Sequence, residues 1–356
     1  MASHHFEVKV SGGKLVVADL TDNGTEITDA KISGDFFLEP EEAYDAINGA
    51  LVGASVTESA DDLQKRIDDA LAALDGGQPI ALHGFSTRDV AVTARRALLD
   101  AKDLTDYNWT VIHSPVLPTP VNVALDQYLL EEVAAGRKGP ILRFWEWEDK
   151  AVVFGSYQSF QNELDPEGIA KHGIVPVRRI SGGGAMFMEG GNCVTYSMYV
   201  PDDVVAGLSY VDSYQYLDTW VLAGLQSLGV NAWYVPINDI TSDGGKIGGA
   251  AQKRVNGAIL HHTTMSYDIN ADKMMEVLRV GKVKLADKGV RSAKKRVDPL
   301  RRQTGVARQE VIEALMNTFI SRYPAETGQL SDDDIAAAEK LVEEKFGTEA
   351  WTHRVP

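Results

Sequence analysis

Three consecutive glycines, Gly182, Gly183 and Gly184, interrupt the chain in "VRRISGGGAMF". Glycine loses more backbone entropy on ordering than any other residue, so folds rarely run a regular element through such a stretch. The glycines mark a break between strand-like runs, and a backbone without side chains lets main-chain N–H groups approach an anion closely. Arg178 and Arg179, a few residues before them, add charge-assisted donors. Two readings stand side by side, a phosphate or nucleotide contact and a flexible hairpin turn. The G-x-x-x-x-G-K-[ST] pattern of a P-loop is absent, and no clear helix follows as the dinucleotide fingerprint requires.

A second glycine-rich stretch is "INDITSDGGKIGGAAQ", where Lys246 stands between Gly244-Gly245 and Gly248-Gly249. A lysine so flanked can come close to a ligand, and its ammonium neutralises carboxylate or phosphate oxygens. The alternative is a solvated lysine in a hairpin. Asp239, seven residues earlier, is a candidate Mg²⁺ ligand. His261 and His262 are adjacent in "GAILHHTTMSYDI" and would point to opposite faces of a strand. That is poor geometry for a two-histidine metal site, so one buried structural histidine is expected. Cys193 in "NCVTYSMYV" reads as a strand residue and a small buried hydrophobe.

The rest of the chain is organised around these segments. Residues 6–38 read as strands around Gly12-Gly13 and Asn23-Gly24 turns. Three amphipathic helices follow, in "EPEEAYDAINGALVG", "ADDLQKRIDDALAAL" and "TRDVAVTARRALLDA", closing a first domain near residue 104. "LTDYNWTVIHSPVLPTP" is a linker and lead-in strand. "NVALDQYLLEEVAAG" is a helix with Leu125, Leu129 and Val133 on one face. Strand-like runs then alternate with a helix over 213–228, and the tail from Val306 reads as helical, with Ser331 and Asp334 as a capping box. The 356 residues carry a net charge of −16, which argues against general nucleic-acid binding. One cysteine allows no internal disulfide. No apolar run spans a membrane and the N-terminus has no signal core, so a cytoplasmic location is expected.

Taken together, "LRFWEW", "VVFGSYQS", "VRRISGGGAMF", "GN", "ND", "KIGGAAQ" and "ILHH" occur in an order that resembles the lipoate–protein ligase family. The downstream "KLADKGVRSAKKRVDPL" is similar to the same family, and the resemblance covers roughly residues 107–300. Residues 1–104 resemble the small accessory domain of these ligases, which commonly follows the large domain or forms a separate chain. The resemblance implies an α+β fold. A large domain, residues 105–356, would carry a mixed β-sheet flanked by helices, similar to biotin ligases and class II synthetases, beside a small α+β accessory domain.

The resemblance also implies a reaction. Lipoate is activated by ATP and Mg²⁺ to lipoyl-AMP, then transferred to a lysine of lipoyl domains in 2-oxoacid dehydrogenase complexes or of the glycine-cleavage H protein. Carried over residue by residue, Lys246 is the central cation contacting both lipoate and nucleotide. Arg179, Ser181, Gly183, Gly184, Ala185, Met186, Phe187, Asn192 and Ala250 are expected at the ATP or lipoyl-AMP, with Asn238 and Asp239 at Mg²⁺ and phosphate. Phe144 and Trp145 would flank the acyl chain or pack in the core. Met188 stands where the family often has histidine, and Thr263 where it often has glycine. Related octanoyltransferases hold the acyl group on a thiol, so an ATP-independent octanoyl or lipoyl transferase is the alternative enzyme. A lipoate- or nucleotide-binding regulator and a biotin ligase are further readings. Residues 282–302 hold nine Lys/Arg against two Asp, either a solvated stretch or a loop meeting the adenylate or an acidic lipoyl domain.

Overall fold

The computed structural model describes residues 1–10, 12–74, 79–279 and 297–355. Most of the basic stretch 282–302, with Lys294 and Lys295, lies outside the described residues. The chain forms two compact units, Met1–Asp103 with Asp203–Ser213, and Leu104–Asp202 with Tyr214–Pro356.

In the first unit, β1 (Ala2–Lys9), β2 (Leu15–Asp22) and β3 (Ile27–Gly34) form an antiparallel sheet. Val16, Ala18 and Leu20 on β2 are buried at every second position, as strand alternation requires. A short pair, β4 (Phe37–Glu39) and β5 (Ala81–His83), completes the strands. Helices Ala60–Ala72 and Thr87–Leu98 both open with capping boxes, Ser59 with Asp62 and Ser86 with Asp89. Val90, Ala91, Ala94 and Ala97 line the buried face of the second helix. Arg96 is also buried there, and its guanidinium donates to the carbonyls of Lys102, Val204 and Ala206 at 2.8–3.0 Å. Those bonds help tie residues 203–213 to the first unit, an association that no local pattern in that segment signals.

The second unit is built on an eight-stranded sheet. Its strands in chain order are β6 (Trp109–Leu117), β7 (Ile141–Trp147), β11 (Cys193–Pro201), β12 (Ala232–Val235), β13 (Asp239–Ser242), β14 (Gly245–Val255), β15 (Ala258–Ser266) and β16 (Ala325–Gly328). Their spatial order is β12-β13-β14-β15-β11-β7-β6-β16. The β16–β6 and β6–β7 pairs are parallel and the others antiparallel, so the sheet is mixed. A smaller sheet of β8 (Lys150–Phe154), β9 (Val175–Arg178) and β10 (Met186–Glu189) stands beside it in the order β10-β8-β9. Helix Thr119–Ala134 buries Leu125, Leu129 and Val133, the face its spacing indicates. Leu217, Val221 and Leu225 are likewise buried.

The tail differs from a purely helical reading. Ala325–Gly328 is a strand, paired in parallel with Trp109–Ile112. The segment "AETG" has no apolar alternation to announce a strand, and its pairing follows from the free edge of β6. The capping box of Ser331 with Asp334 does form.

Candidate functional site

The middle of β14 reads Gly248, Gly249, Ala250, Ala251. Across the ladder, β15 sets Thr264 opposite Gly249 and His262 opposite Ala251. The next strand, β11, adds Thr195 and Ser197, and β7 adds Arg143 opposite Ser197. By alternation these residues share one face, to which β14 contributes almost no side-chain volume. The shortfall is a pocket whose free space, open mouth included, is about 620 Å³. Trp145, Val153, Met186 and Met188 give it apolar walls, and Arg179, Asn238, Lys246 and His262 supply its polar groups.

The glycine stretch forms a rim of this pocket because two glycines allow close packing. Gly183 has φ of +92°, in the left-handed region that disfavours side chains. A Cβ on Gly155, just after β8, would lie 2.2 Å from the Gly183 oxygen. The two preceding arginines have separate partners. Arg178 is fully buried and donates to the carbonyls of Gly155, Ser156 and Gln158, and to Trp351 and Thr352 of the C-terminal segment. Arg179 points to the pocket. Its Nε donates to Ser181 Oγ at 2.9 Å, Nη1 to Val153 O at 3.2 Å, and Nη2 to Gly182 O. Burial lowers its pKa to about 10, so it stays a cation at neutral pH.

Lys246 is aimed by a β-bulge. The β13–β14 register pairs Ile240 with Gly248 but Thr241 with Lys246, leaving Ile247 as the extra residue. Such an insertion redirects neighbouring side chains. The ammonium of Lys246 lies 2.7 Å from Asp239 Oδ1, with the lysine side chain 44% exposed. A Cβ at Gly249 would lie 3.1 Å from that ammonium, so glycine there leaves the lysine its place. Asn238 is held by a pair of bonds with Ala250, Nδ2 to O and O from N.

Beneath the pocket lies a buried polar network. Asp126, on helix Thr119–Ala134, takes hydrogen bonds on Oδ1 from Ser197 (2.8 Å), Tyr199 (2.6 Å) and Arg143 (3.2 Å). Its Oδ2 faces His262 Nδ1 at 2.7 Å. Trp145 Nε1 donates to Ser197 Oγ, and Arg143 also donates to Asn122. Burial pushes the Asp126 carboxyl up, but the hydrogen bonds from His262 and Tyr199 and the Arg143 charge outweigh it and hold it below the usual range.

The pocket therefore gathers Arg179, Gly184, Ala185, Met186, Lys246 and Ala250 in its wall. Asp239 touches Lys246. Ser181 is fully buried, its hydroxyl engaged with Arg179 and His262. Gly183 acts through backbone shape. Asp239, Ser181 and Gly183 thus lie just behind the wall, and Phe187 and Asn192 lie off it altogether. Alternation turns Phe187 into a separate apolar cluster with Val152 and Phe154, and Asn192 closes the β10–β11 turn by accepting from Glu189 N at 2.7 Å. Trp145 faces the pocket, whereas Phe144 packs on the opposite face against Tyr196 and Trp220. Met188 lines the wall, and Thr263 turns away to Asp218. Both histidines are buried, not one. His261 pairs with Asp218 at 2.6 Å, and His262 with Asp126. Neither His262 nor Asp126 stands out as a site residue from sequence. The available signal was a polar pair, Asn122 and Asp126, on the apolar face of a helix.

Cys193 is buried in the same apolar core as the wall residues Trp145, Val153 and Met188, and burial pushes its thiol up to about 12. Among the described residues no group of three or more His, Cys, Asp or Glu side chains could hold a metal ion. No described helix is long and apolar enough to cross a membrane.

Residues 118–320 match the lipoyl protein ligase A/B catalytic domain. The chain belongs to this family. Lipoate–protein ligase 1 of Staphylococcus aureus is 29% identical over 235 residues, 65% of this chain and 69% of that protein. Octanoyltransferase LipM of Brevibacillus brevis is 25% identical over 278 residues, 69% of this chain and 99% of that protein. A bipartite lipoate protein ligase from Thermoplasma acidophilum, described together with its E2 lipoyl domain, superposes with a TM-score of 0.61. It is 27% identical, covering 69% of this chain and 96% of that one. The large unit thus has the mixed sheet flanked by helices of lipoate–protein ligases, and the family's catalytic domain includes the pocket described above.

Proposed function

We propose that this chain is an ATP-dependent lipoate–protein ligase. The observation that carries the reading is one pocket in which the cations Lys246 and Arg179 stand beside an apolar wall of Trp145, Val153 and Met186. That combination suits a carboxylate with an apolar tail meeting a polyphosphate. A lipoate carboxylate oxygen attacks the α-phosphorus of ATP, pyrophosphate leaves, and lipoyl-AMP forms. Two anions must approach each other in this step, and a fixed cation between them lowers the barrier. The acceptor lysine amine then attacks the acyl carbon, AMP leaves, and the nitrogen loses its proton to solvent. Lys246 acts as an electrostatic clamp in the first step, not as a nucleophile. Asp239 offers one carboxylate near the expected phosphates, which suits Mg²⁺ arriving with the nucleotide and retaining waters. The E2 lipoyl domain described with the Thermoplasma ligase supports lipoyl domains as acceptors; the glycine-cleavage H protein is proposed as a further acceptor on the family resemblance alone.

The LipM relatives keep a thiol-based octanoyl transfer as the second reading. Against it stands the single cysteine of the chain, buried and held protonated. The test is the mass of a lipoyl domain after incubation with this protein, lipoate, Mg²⁺ and ATP. A lipoyl adduct that requires ATP is expected, and Cys193→Ser is expected to retain substantial ligation. An adduct formed from an octanoylated carrier without ATP, and lost in a folded Cys193→Ser protein, would establish the transferase instead.

The first unit is proposed as an accessory module for adenylation, which needs water excluded and loops closed. A chain starting near Asp106 is expected to form lipoyl-AMP poorly, yet to transfer lipoate from supplied lipoyl-AMP to a lipoyl domain. Full ATP-dependent ligation by a truncated protein of verified mass would remove this role.

A further inference from the structure

We propose that Asp126, His262 and Ser181 form a proton-ordered hydrogen-bond line that positions Arg179 for an anion in the pocket. This makes His262 a positioning residue, and the inference rests on the ligase reading. The geometry is continuous. Asp126 Oδ2 lies 2.7 Å from His262 Nδ1, His262 Nε2 lies 2.6 Å from Ser181 Oγ, and Ser181 Oγ lies 2.9 Å from Arg179 Nε.

The charged ends dictate where each proton sits. The Asp126 carboxylate accepts from Ser197, Tyr199 and Arg143 on Oδ1, and Oδ2 accepts as well, so Nδ1 of His262 carries hydrogen. In the neutral ring Nε2 is then an acceptor. Arg179 Nε can only donate, so Ser181 accepts from it and gives its own proton to Nε2. The result is a buried anion and a buried cation joined through two neutral groups. Arg179 is held at three points, to Ser181, Val153 and Gly182. Three of its five N–H groups are engaged, and two remain for a ligand at the wall it lines. A guanidinium fixed before the ligand arrives does not have to reorganise during reaction.

The line also has a pH direction. Asp126 and Arg143 lie behind the ring, Tyr199 shares their network, Arg179 faces it from the glycine rim, Lys246 shares the pocket wall, and His261 adjoins it in the chain. Burial lowers the pKa of His262, and Arg179 and His261 add to this, while Asp126 opposes it. The ring stays neutral at pH 7, and the line is lost as pH falls below the ordinary histidine range. Protonated Nε2 would turn from acceptor to donor toward Ser181 and set a second cation beside Arg179.

Two measurements test the line. Nitrogen NMR of the full-length protein reads the His262 tautomer directly. A neutral ring with hydrogen on Nδ1 at pH 7 is expected, and a charged ring or hydrogen on Nε2 would overturn the line. Steady-state pyrophosphate release reads its use. His262→Ala should lower kcat/KM for ATP by about ten- to a hundredfold, leaving the lipoate KM within about threefold. His262→Gln, with an amide donor group, an acceptor oxygen and no titration, should recover most of that loss and flatten the acid limb. If His262→Ala fails to fold, Ser181→Ala, which deletes one oxygen, takes its place. Glutamine as impaired as alanine, or an acid limb unchanged in the glutamine protein, would overturn the positioning role. If the wild-type protein releases no pyrophosphate, the ligase reading falls and the role of the line in it falls too. The NMR tautomer, and its loss in Asp126→Asn, would still decide whether the line exists.

Discussion

Lys246→Ala is expected to lower acyl-adenylate formation by about 10²–10³-fold, the usual effect of deleting one charge-stabilising group. The fold should persist, since the side chain is 44% exposed and its described ion partner is the partly exposed Asp239. A surface pair of this kind contributes about 1 kcal/mol or less. The loss has two components. The cation that neutralises carboxylate and phosphate is gone, and the Asp239 carboxylate is left uncompensated beside the incoming anions. Adding Asp239→Asn to Lys246→Ala should therefore recover part of the lost rate. Pyrophosphate release from lipoate and ATP measures both variants, with a thermal melt as the control for folding. Release near the wild-type rate by a folded Lys246→Ala protein would take the lysine out of the mechanism.

Arg178→Ala is expected to be the most damaging single change to stability around the site. The guanidinium is fully buried and binds carbonyls on both sides of it, at residues 155–158 and at Trp351 and Thr352. It also stacks 4.5 Å from the Phe154 ring centroid. Its removal leaves buried carbonyls unpaired and opens a cavity, at a cost of about 3–5 kcal/mol. For a unit of this size that corresponds to a fall of roughly 10 °C in Tm. The site should suffer as well, because residue 155 abuts the Gly183 oxygen. When the 155–158 segment moves, the glycine rim moves with it, and KM for ATP should rise. Arg178→Lys keeps the charge but not the planar fork, so it should rescue little. A melting curve unchanged in Arg178→Ala would show that the C-terminal segment is held by something else.

What could be read along the chain is what local chemistry encodes. Leu125, Leu129 and Val133 define a helix face by spacing, and Ser331 with Asp334 announces a helix start by capping. The glycines around Lys246 and before Met186 permit close backbone approach, though by themselves they suit a plain hairpin turn equally well. The joint order of these motifs was enough to indicate the family. The tertiary structure decided which polar residues face one another. Arg178 and Arg179 are indistinguishable as neighbours in sequence, yet strand alternation sends one to the carbonyls of the C-terminal segment and the other to the pocket. Asp126 meets His262 across 136 positions of chain, and the reason is register, which sets Ala251, His262, Ser197 and Arg143 in one row. The bulge at Ile247 turns Lys246 toward Asp239. Residues 203–213 join the first unit because buried Arg96 needs acceptors that they supply. Periodicity specifies the face a side chain takes, but a buried charge finds its partner only when distant strands and helices are packed together.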